Sequence, residues 1–292
     1  MTADNVSCAY RIFADLHARD RVFVLGNAWD TGSAQMLAGL GYEALGTTSW
    51  GAAIVAGRLD GPGQVSRELA LGHAQEIVEA TDLPVSADLE DGFGALPEDV
   101  AETVRQAAAI GLAGCSIEDT TGDPERPIFP LDEAVARISA AVDVVRSIGR
   151  PFVLTARAEN YSYGRPDLAD TLARLKAFEV AGADCLYAPE LPNLATVQAV
   201  CEAVRKPVNV VSGLGLPDDV TLEMLESVGV RRVSFGSSLM RVGMRAVRDA
   251  AQAVLVSGAL APVTDGLDFD EAEALVASGR PRGAASDSAR QS

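Results

Sequence analysis

Eight short apolar runs alternate with amphipathic stretches of helical length along most of this 292-residue chain. Such alternation is typical of β-α units, because two parallel strands need a crossover, usually a helix, to connect them. Eight units in succession predict an α/β protein built as a closed (β/α)8 barrel of the TIM type. The predicted strands are residues 22–26, 43–49, 83–90, 113–119, 151–159, 184–190, 206–212 and 231–237. The predicted helices that follow them are residues 31–40, 64–80, 97–110, 131–147, 167–181, 193–204, 217–228 and 238–257.

The predicted barrel fills most of the chain and forms one domain, residues 1–257, with an extra helix near residues 7–19 ahead of the first strand. Beyond the barrel, the segment DFDEAEALVAS favours one further short helix within residues 258–278. The last stretch, residues 279–292, is polar, aperiodic and rich in small residues. We therefore expect that stretch to be a disordered tail.

The charge balance limits the partners that the chain can have. Its 24 basic and 41 acidic residues give a formal net charge of -17, which repels nucleic acid and anionic membrane surfaces. No signal-peptide pattern begins the sequence, and no apolar run is long enough to span a bilayer. The four cysteines lack zinc-like spacing, so we expect reduced thiols in a cytoplasmic protein. An anionic substrate would then need a local cation.

Carboxylates gather where the third and fourth predicted strands end, and barrel enzymes place their reacting groups at those ends. The segment PVSADLEDGFG carries Asp88 and Glu90, and the next strand ends in Glu118. Together with Asp60 they concentrate negative charge that a cation would neutralise. Oxygen ligands without a nearby His or Cys favour Mg²⁺, with Mn²⁺ as the alternative. Alternation along the strand turns Asp91 away, so we interpret Asp91 as part of a solvated loop.

Arg157, in the segment VLTARAEN, is a lone cation at the end of the fifth predicted strand. A guanidinium at that place suits a substrate carboxylate or an enolate oxygen. The alternative is a structural ion pair with Glu159 or Glu118, because ion-pair networks also crowd barrel mouths.

Other strand ends offer candidate substrate contacts. The segment TTSWG supplies hydroxyl and backbone N–H groups that could cradle a carboxylate, and Trp50 either walls the pocket or only packs. Asn209 ends the seventh strand and is a further candidate substrate contact. His17 and His73 lie on predicted helices away from the strand ends, and no G-x-S-x-G motif occurs. A Ser/His/Asp mechanism is therefore disfavoured.

Four segments taken in order resemble the isocitrate lyase and phosphoenolpyruvate mutase superfamily: GTTSWGAAIVAGRLDG, PVSADLEDGFG, GCSIED and LTARAEN. The resemblance runs from about residue 20 to residue 257. It implies an α/β barrel that binds Mg²⁺ and a small 2-oxo or 2-hydroxy carboxylic acid. It also implies a homo-oligomer, a dimer or a homotetramer, in which a terminal helix is exchanged between subunits.

The resemblance implies roles for the matching residues. Asp88 would contact the metal directly, and Arg157 would neutralise the enolate that develops during cleavage. The residues that would hold the metal's water ligands are Asp60, Glu90 and Glu118. The substrate carboxylate would be bound by Ser49, Trp50 and Gly51. We count Glu118 with Arg157 among the catalytic residues, and Tyr161 is the leading proton donor, with Tyr163 and Glu190 as alternatives.

Two departures from the superfamily narrow the reaction. Isocitrate and methylisocitrate lyases carry a K-[KR]-C-G-H stretch after strand 4, where this chain reads TTGDPERPIFPLDE, in which Arg126 is either part of a lid or a solvated side chain. Phosphonopyruvate-type members use a His after strand 6, where this chain reads YAPELPN. The leading hypothesis is a Mg²⁺-dependent carbon-carbon lyase that works through an enolate. The alternatives are a phosphoenolpyruvate mutase, a phosphonopyruvate or oxaloacetate hydrolase, and a binding protein that has lost its chemistry.

Overall fold

A computed structural model describes residues 3–61 and 63–282 of the chain. Eight parallel strands, hydrogen-bonded in chain order, close into a barrel, which confirms the predicted (β/α)8 fold and its extra N-terminal helix. The strands are β1 (Phe23–Asn27), β2 (Ala44–Gly46), β3 (Val85–Asp88), β4 (Gly114–Glu118), β5 (Val153–Arg157), β6 (Cys185–Tyr187), β7 (Val208–Val211) and β8 (Arg232–Ser234). The helices are α1 (Ala3–Ala18), α2 (Thr31–Gly39), α3 (Ser49–Val55), α4 (Arg67–Glu79), α5 (Pro97–Ala109), α6 (Leu131–Ser147), α7 (Leu168–Ala181), α8 (Leu194–Ala203), α9 (Leu222–Ser227), α10 (Ser238–Ser257), α11 (Ala261–Thr264) and α12 (Phe269–Ser278).

Every strand except β1 is shorter than predicted, and in two places a side-chain cap sets where an element begins or ends. The predicted strand 43–49 stops early, and helix α3 begins at Ser49, where the Thr48 hydroxyl accepts a hydrogen bond from Gly51 N at 3.5 Å. Helix α9 starts later than residue 217, because Thr221 caps it by accepting from Met224 N at 3.2 Å. Ser and Thr stabilise helix starts in this way by satisfying a backbone N–H that has no partner within the helix.

Helix α1 closes the end of the barrel at which the strands begin. Its apolar side chains recur every three or four residues, so one face carries Phe13 and Leu16, which are 0% and 3% exposed. That face packs against residues at the starts of the strands, including Phe23 and Val153. The plug leaves the opposite end of the barrel, where the strands finish, as the open end.

His17, on the same helix, joins a buried polar network inside the barrel. Its Nδ1 lies 2.8 Å from the carbonyl oxygen of Phe13 and its Nε2 lies 3.2 Å from Arg232 Nη1. The carbonyl can only accept, so Nδ1 carries the hydrogen and Nε2 accepts from the guanidinium. Burial and the charge of Arg232 together lower the pKa of His17 to about 3. The barrel floor is therefore built around a neutral imidazole.

We expect this histidine to make stability depend on acid pH. The unfolded chain takes up a proton near pH 6.5 and the folded chain does not until about pH 3, so folding stability falls as pH drops through that window. The loss should be about 1.4 kcal/mol per pH unit. The free energy of unfolding of the parent protein and of His17→Gln should be measured in urea from pH 6 to pH 4. The difference between the two proteins should show this slope, because all other titrating groups cancel. Equal slopes for the two proteins would contradict the assignment.

Helix α10, the eighth helix of the repeat, does not cover its own barrel. Every residue of this helix is exposed or half-buried, and Val247 and Leu255 are 70% and 85% exposed. Helix α12, in the segment where a further helix was predicted, packs instead against α2. Gly279 lies against Gln35, and Arg282 N donates to Asp82 Oδ2 at 2.6 Å, so the chain is still in contact with the barrel past residue 279. The rest of the predicted tail, residues 283–292, lies outside the described residues.

Within residues 3–61 and 63–282, no helix combines the length and apolarity that crossing a bilayer requires. Cys115 and Cys185 are buried in the barrel, Cys201 is half-buried and Cys8 is exposed.

Candidate active site

The register of the parallel strands lines up polar residues around the open end of the barrel. Because the register is set by backbone pairing, residues far apart in the sequence become lateral neighbours. The paired positions are Asp88 with Ser116, Glu118 with Arg157, Arg157 with Tyr187, Tyr187 with Asn209, and Asn209 with Arg232. Asp88, Glu118 and Arg157, which were singled out from the sequence, thus lie together at the open end, whereas Asn209 and Arg232 lie deeper in the barrel, toward His17.

Arg157 stands at the centre of this group. Its Nη1 lies 3.3 Å from Glu118 Oε2 and 3.7 Å from Asp88 Oδ1, and its Nε contacts Glu159 Oε1. The ion pairs foreseen as the alternative for Arg157 are therefore present. Burial alone would lower the pKa of Arg157, but Glu159 and Glu118 outweigh burial and hold that pKa above its ordinary value. Among the described residues, Nη2 makes no hydrogen bond, so it can still donate to a ligand.

The carboxylates around Arg157 carry more negative charge than one guanidinium can balance. The pKa of Glu90 is raised to about 8, first by burial and then by Asp88 and Asp60. The pKa of Glu118 is held well above its ordinary value by burial, with Glu159 and Asp88 adding to the effect and Arg157 opposing it. Asp60, on the segment between α3 and α4, has a pKa raised by burial and by Asp88. Like charges that raise one another's pKa in this way mark a place suited to a cation.

Glu90 is held on a backbone that is costly for a residue other than glycine. Glu90 and Phe93 have φ angles of 49° and 58°, in the left-handed region. The buried Arg137 stabilises this loop by donating to the carbonyl oxygens of Gly94 and Ala95, both at 2.7 Å, and to that of Asp91. Asp91 itself caps the turn, since its Oδ1 accepts from Phe93 N at 2.8 Å. The loop backbone thus fixes the position from which the Glu90 side chain extends.

The first turn of α3 lies beside Asp88, but most of its backbone donors are already used. Ser49 N donates to Asp88 Oδ2 at 3.2 Å, and Gly51 N donates to Thr48. A Cβ on Gly51 would lie 2.6 Å from the Thr48 side chain, so only glycine fits there. Ser49 lines the main cavity, whereas Trp50 is half-buried and is not among the described residues that line it. The hydroxyl of Ser49 and the N–H of Trp50 are the donors left for a carboxylate.

A cavity of about 810 Å³ opens above these residues, and its lining distinguishes between the candidate proton donors. Tyr163 and Glu190 line it, whereas Tyr161 packs partly buried against the hydrophobic core. Burial, followed by Glu118 and Glu159, raises the pKa of Tyr163 to about 12, so its hydroxyl keeps its proton at neutral pH. Arg126 is exposed and is not among the described lining residues.

A second, small cavity of about 50 Å³ lies deeper in the barrel, between Asp88, Arg157 and Asn209. Asn209 is 1% exposed, and its side chain accepts from Arg232 Nε at 2.7 Å and donates to Ser234 Oγ at 3.0 Å. It therefore shapes the cavity floor.

Tyr187 and Arg232 also line this small cavity, although neither was predicted from the sequence as a site residue. The Tyr187 ring lies under the Arg157 guanidinium, with 5.1 Å between the guanidinium carbon and the ring centre. Alternation along β6 could have identified Tyr187, because it places Cys185 and Tyr187 on the same face of the strand. For Arg232, two successive arginines at the start of β8 left open which one turns inward.

Comparison with known proteins agrees with this geometry. A family profile described as phosphoenolpyruvate phosphomutase matches residues 13–255. A solved structure from Burkholderia cenocepacia J2315, provisionally described as a lyase/mutase, superposes with a TM-score of 0.89 at 44% identity, over 93% of this chain and 96% of that one. The oxaloacetate decarboxylase of Paraburkholderia xenovorans LB400 is 31% identical over 81% of this chain and 79% of its own. The 2-methylisocitrate lyase of Escherichia coli K12 is 29% identical over 77% of each chain. The chain belongs to the phosphoenolpyruvate phosphomutase family, within the isocitrate lyase and phosphoenolpyruvate mutase superfamily.

Proposed function

We propose that this protein is a Mg²⁺-dependent lyase that breaks a carbon-carbon bond of a small 2-oxo or 2-hydroxy carboxylic acid through an enolate. The observation that carries the proposal is the placement of Arg157 among the carboxylates at the open end of the barrel, with Nη2 left available. A cation fixed beside a cation site suits a reaction in which negative charge develops on a substrate oxygen. The relatives named as lyases and decarboxylases support the same class of chemistry.

The residues present fit a magnesium ion. Their side chains offer only oxygen, and their raised pKa values show that negative charge is in excess. In the described part of the chain, no three acidic, His or Cys side chains lie close enough to ligate one ion together. Mg²⁺ keeps several waters and takes one or two carboxylates directly. Asp88 would be the direct ligand. The residues that would hold its waters are Asp60, Glu90 and Glu118.

Each side chain then has a separate task. Mg²⁺, when bound, supplies a Lewis acid for the oxygen on which charge develops. Arg157 Nη2 donates to the same enolate, and Glu118 and Glu159 keep that guanidinium in place. Ser49 binds the substrate carboxylate through its hydroxyl. The Tyr163 hydroxyl lines the cavity in the protonated form and gives its proton to the enolate carbon. The proton that the substrate hydroxyl loses as the carbon-carbon bond breaks returns to Tyr163 through water.

Magnesium binding should depend on pH through Glu90. With a pKa of about 8, this carboxyl must lose a proton before it can hold a ligand water, so affinity should rise from pH 6.5 to pH 8. The rise should be at most about tenfold per pH unit. Calorimetric titration at pH 7 in two buffers of different ionisation enthalpy should show proton release, and Glu90→Gln should show less. Equal proton release from both proteins would remove Glu90 from the site.

We also propose a homo-oligomer in which α10 packs on the barrel of a second copy. The helix is amphipathic, with Met240, Met244, Val247 and Ala251 on one face, and its own chain leaves the last three of these exposed. The exposed apolar side chains of this face would stabilise an assembly in which a second copy covers them.

Sedimentation velocity tests the assembly with a matched pair of variants. Val247→Asp adds a charge to the apolar face and should release monomers, whereas Gln252→Asp adds the same charge to the opposite face and should not. A parent protein that sediments as a monomer would contradict the proposal.

Decarboxylation of a 3-carboxy-2-oxo acid is the second candidate reaction. It uses the same enolate, and the 31% identity to the Paraburkholderia enzyme favours it. Product analysis separates the two reactions, since decarboxylation releases CO₂ and the lyase reaction releases an organic fragment.

A further inference from the structure

Two residues on which the proposed reaction depends, Arg157 and Tyr163, are both held by Glu159. This residue is 2% exposed, and its Oε1 contacts Arg157 Nε. Its carbonyl oxygen accepts a hydrogen bond from Tyr163 N at 3.2 Å. The position of Glu159 therefore helps to set where the guanidinium lies and from where the Tyr163 side chain extends.

Asp119 holds Glu159 without lining the site itself. Asp119 is 3% exposed and is not among the described residues that line either cavity. Its Oδ1 accepts a hydrogen bond from Glu159 N at 2.9 Å, and its own backbone N donates to the carbonyl oxygen of Arg157 at 3.1 Å. Asp119 thus fixes the chain on both sides of Ala158, at the point where the chain leaves β5.

The other oxygen of the Asp119 carboxylate has a separate partner. Oδ2 accepts a hydrogen bond from Arg174 Nη1 at 3.0 Å, and the same nitrogen donates to the carbonyl oxygen of Phe129 at 2.9 Å. This ion pair compensates for burying the charge of Asp119. In the described part of the chain, Arg174 makes no hydrogen bond to Glu159. The contact of the Asp119 side chain with Glu159 is therefore made by Oδ1 alone.

We infer that Asp119 is a positioning residue, which orients Arg157 and Tyr163 through the backbone N–H of Glu159. Without Oδ1 this buried N–H has no acceptor, and an unpaired buried donor is costly enough to move the backbone toward another acceptor. Such a movement displaces Arg157 Nη2, and small displacements of a group that binds the reacting atoms weaken binding and slow the reaction. The inference rests on the proposed function, because it takes Arg157 to be the residue that binds the enolate.

A matched pair of double variants of the full-length protein separates the hydrogen bond from the ion pair. Asp119→Asn/Arg174→Met keeps an acceptor for Glu159 N, whereas Asp119→Leu/Arg174→Met has nearly the same shape and offers no acceptor. Both variants remove the buried ion pair, and proteins often tolerate the replacement of such a pair by side chains of similar volume. Circular dichroism should therefore show that both variants are folded.

Oxalate, which resembles an enolate, is the probe. At saturating Mg²⁺, calorimetric titration should show that oxalate binds at least about tenfold more weakly to the Leu variant than to the parent protein. The Asn variant should bind oxalate nearly as tightly as the parent protein does. The affinity for Mg²⁺ alone should change much less, because Asp88, the proposed metal ligand, makes no hydrogen bond with Asp119.

If oxalate does not bind to the parent protein, both the proposed function and this inference fail. If oxalate binds to the parent protein, equal oxalate affinities of the Leu and Asn variants overturn the inference alone. A loss of Mg²⁺ affinity as large as the loss of oxalate affinity also overturns it, because the change would then disturb the whole site. A Leu variant that does not fold has the same consequence, since Asp119 would then support the fold.

Discussion

Asp88→Ala should abolish metal-dependent turnover and leave the barrel folded. Asp88 accepts hydrogen bonds from Ser49 N and Ser116 Oγ at 3.2 and 3.4 Å, so its side chain is oriented by β2-to-α3 and β4 neighbours. Losing the proposed direct metal ligand would remove the ion's anchor, whereas few apolar contacts depend on a half-buried carboxylate at the cavity floor. Activity below detection, with an unchanged circular dichroism spectrum, is the expected result.

Asp88→Asn separates charge from shape. The amide can keep the hydrogen bond from Ser49 N while losing the negative charge, so this variant should be nearly as inactive as the alanine variant. An Asn variant that turns over normally would show that Asp88 only orients the α3 turn. An alanine variant that unfolds would place Asp88 in the support of the fold instead.

Arg157→Ala should lower kcat by about 10²- to 10³-fold, the usual effect of losing one group that stabilises an oxyanion. The loss also leaves Glu118 and Glu159 without their cation, and breaking a buried ion pair costs roughly 3–5 kcal/mol of stability. The rate must therefore be measured on folded protein, at saturating Mg²⁺. Arg157→Lys keeps the positive charge without the planar guanidinium, so its kcat should lie between those of the parent protein and Arg157→Ala.

Arg174 offers the matched control for that variant. Its Nη1 pairs with buried Asp119 at 3.0 Å and its Nε pairs with Asp170 at 2.8 Å, but it lines neither cavity. Arg174→Ala should lose stability in a similar way and keep kcat. Equal losses of kcat in both alanine variants would mean that Arg157 acts only through the ion-pair network.

Strand positions and strand ends could be predicted from the sequence because buried parallel strands read as short apolar runs. Asp88, Glu118 and Arg157 close such runs, and the parallel register then forces them to one end of the barrel. The start of α3 could not be predicted, since the two threonines of TTSWG also suit a strand and only the Thr48 cap ends it. The sequence placed Tyr161 ahead of Tyr163, two residues apart on one loop, whereas Tyr163 is the one that lines the cavity.

The sequence of one chain could not predict what covers the apolar face of α10. Its apolar periodicity predicted a helix over residues 238–257, and the structure has that helix with most of its apolar face exposed. Periodicity shows that a face will be buried, but not whether its own barrel or a second copy buries it.

The enolate site can be tested by thermal unfolding with Mg²⁺, with oxalate and with both together. Oxalate is a planar dianion shaped like the enolate of pyruvate, and a ligand bound only by the folded state raises the melting temperature. We expect a shift that needs both ligands and exceeds the sum of the separate shifts. An unchanged melting temperature with both ligands present would contradict the assignment of the barrel mouth as a metal-dependent enolate site.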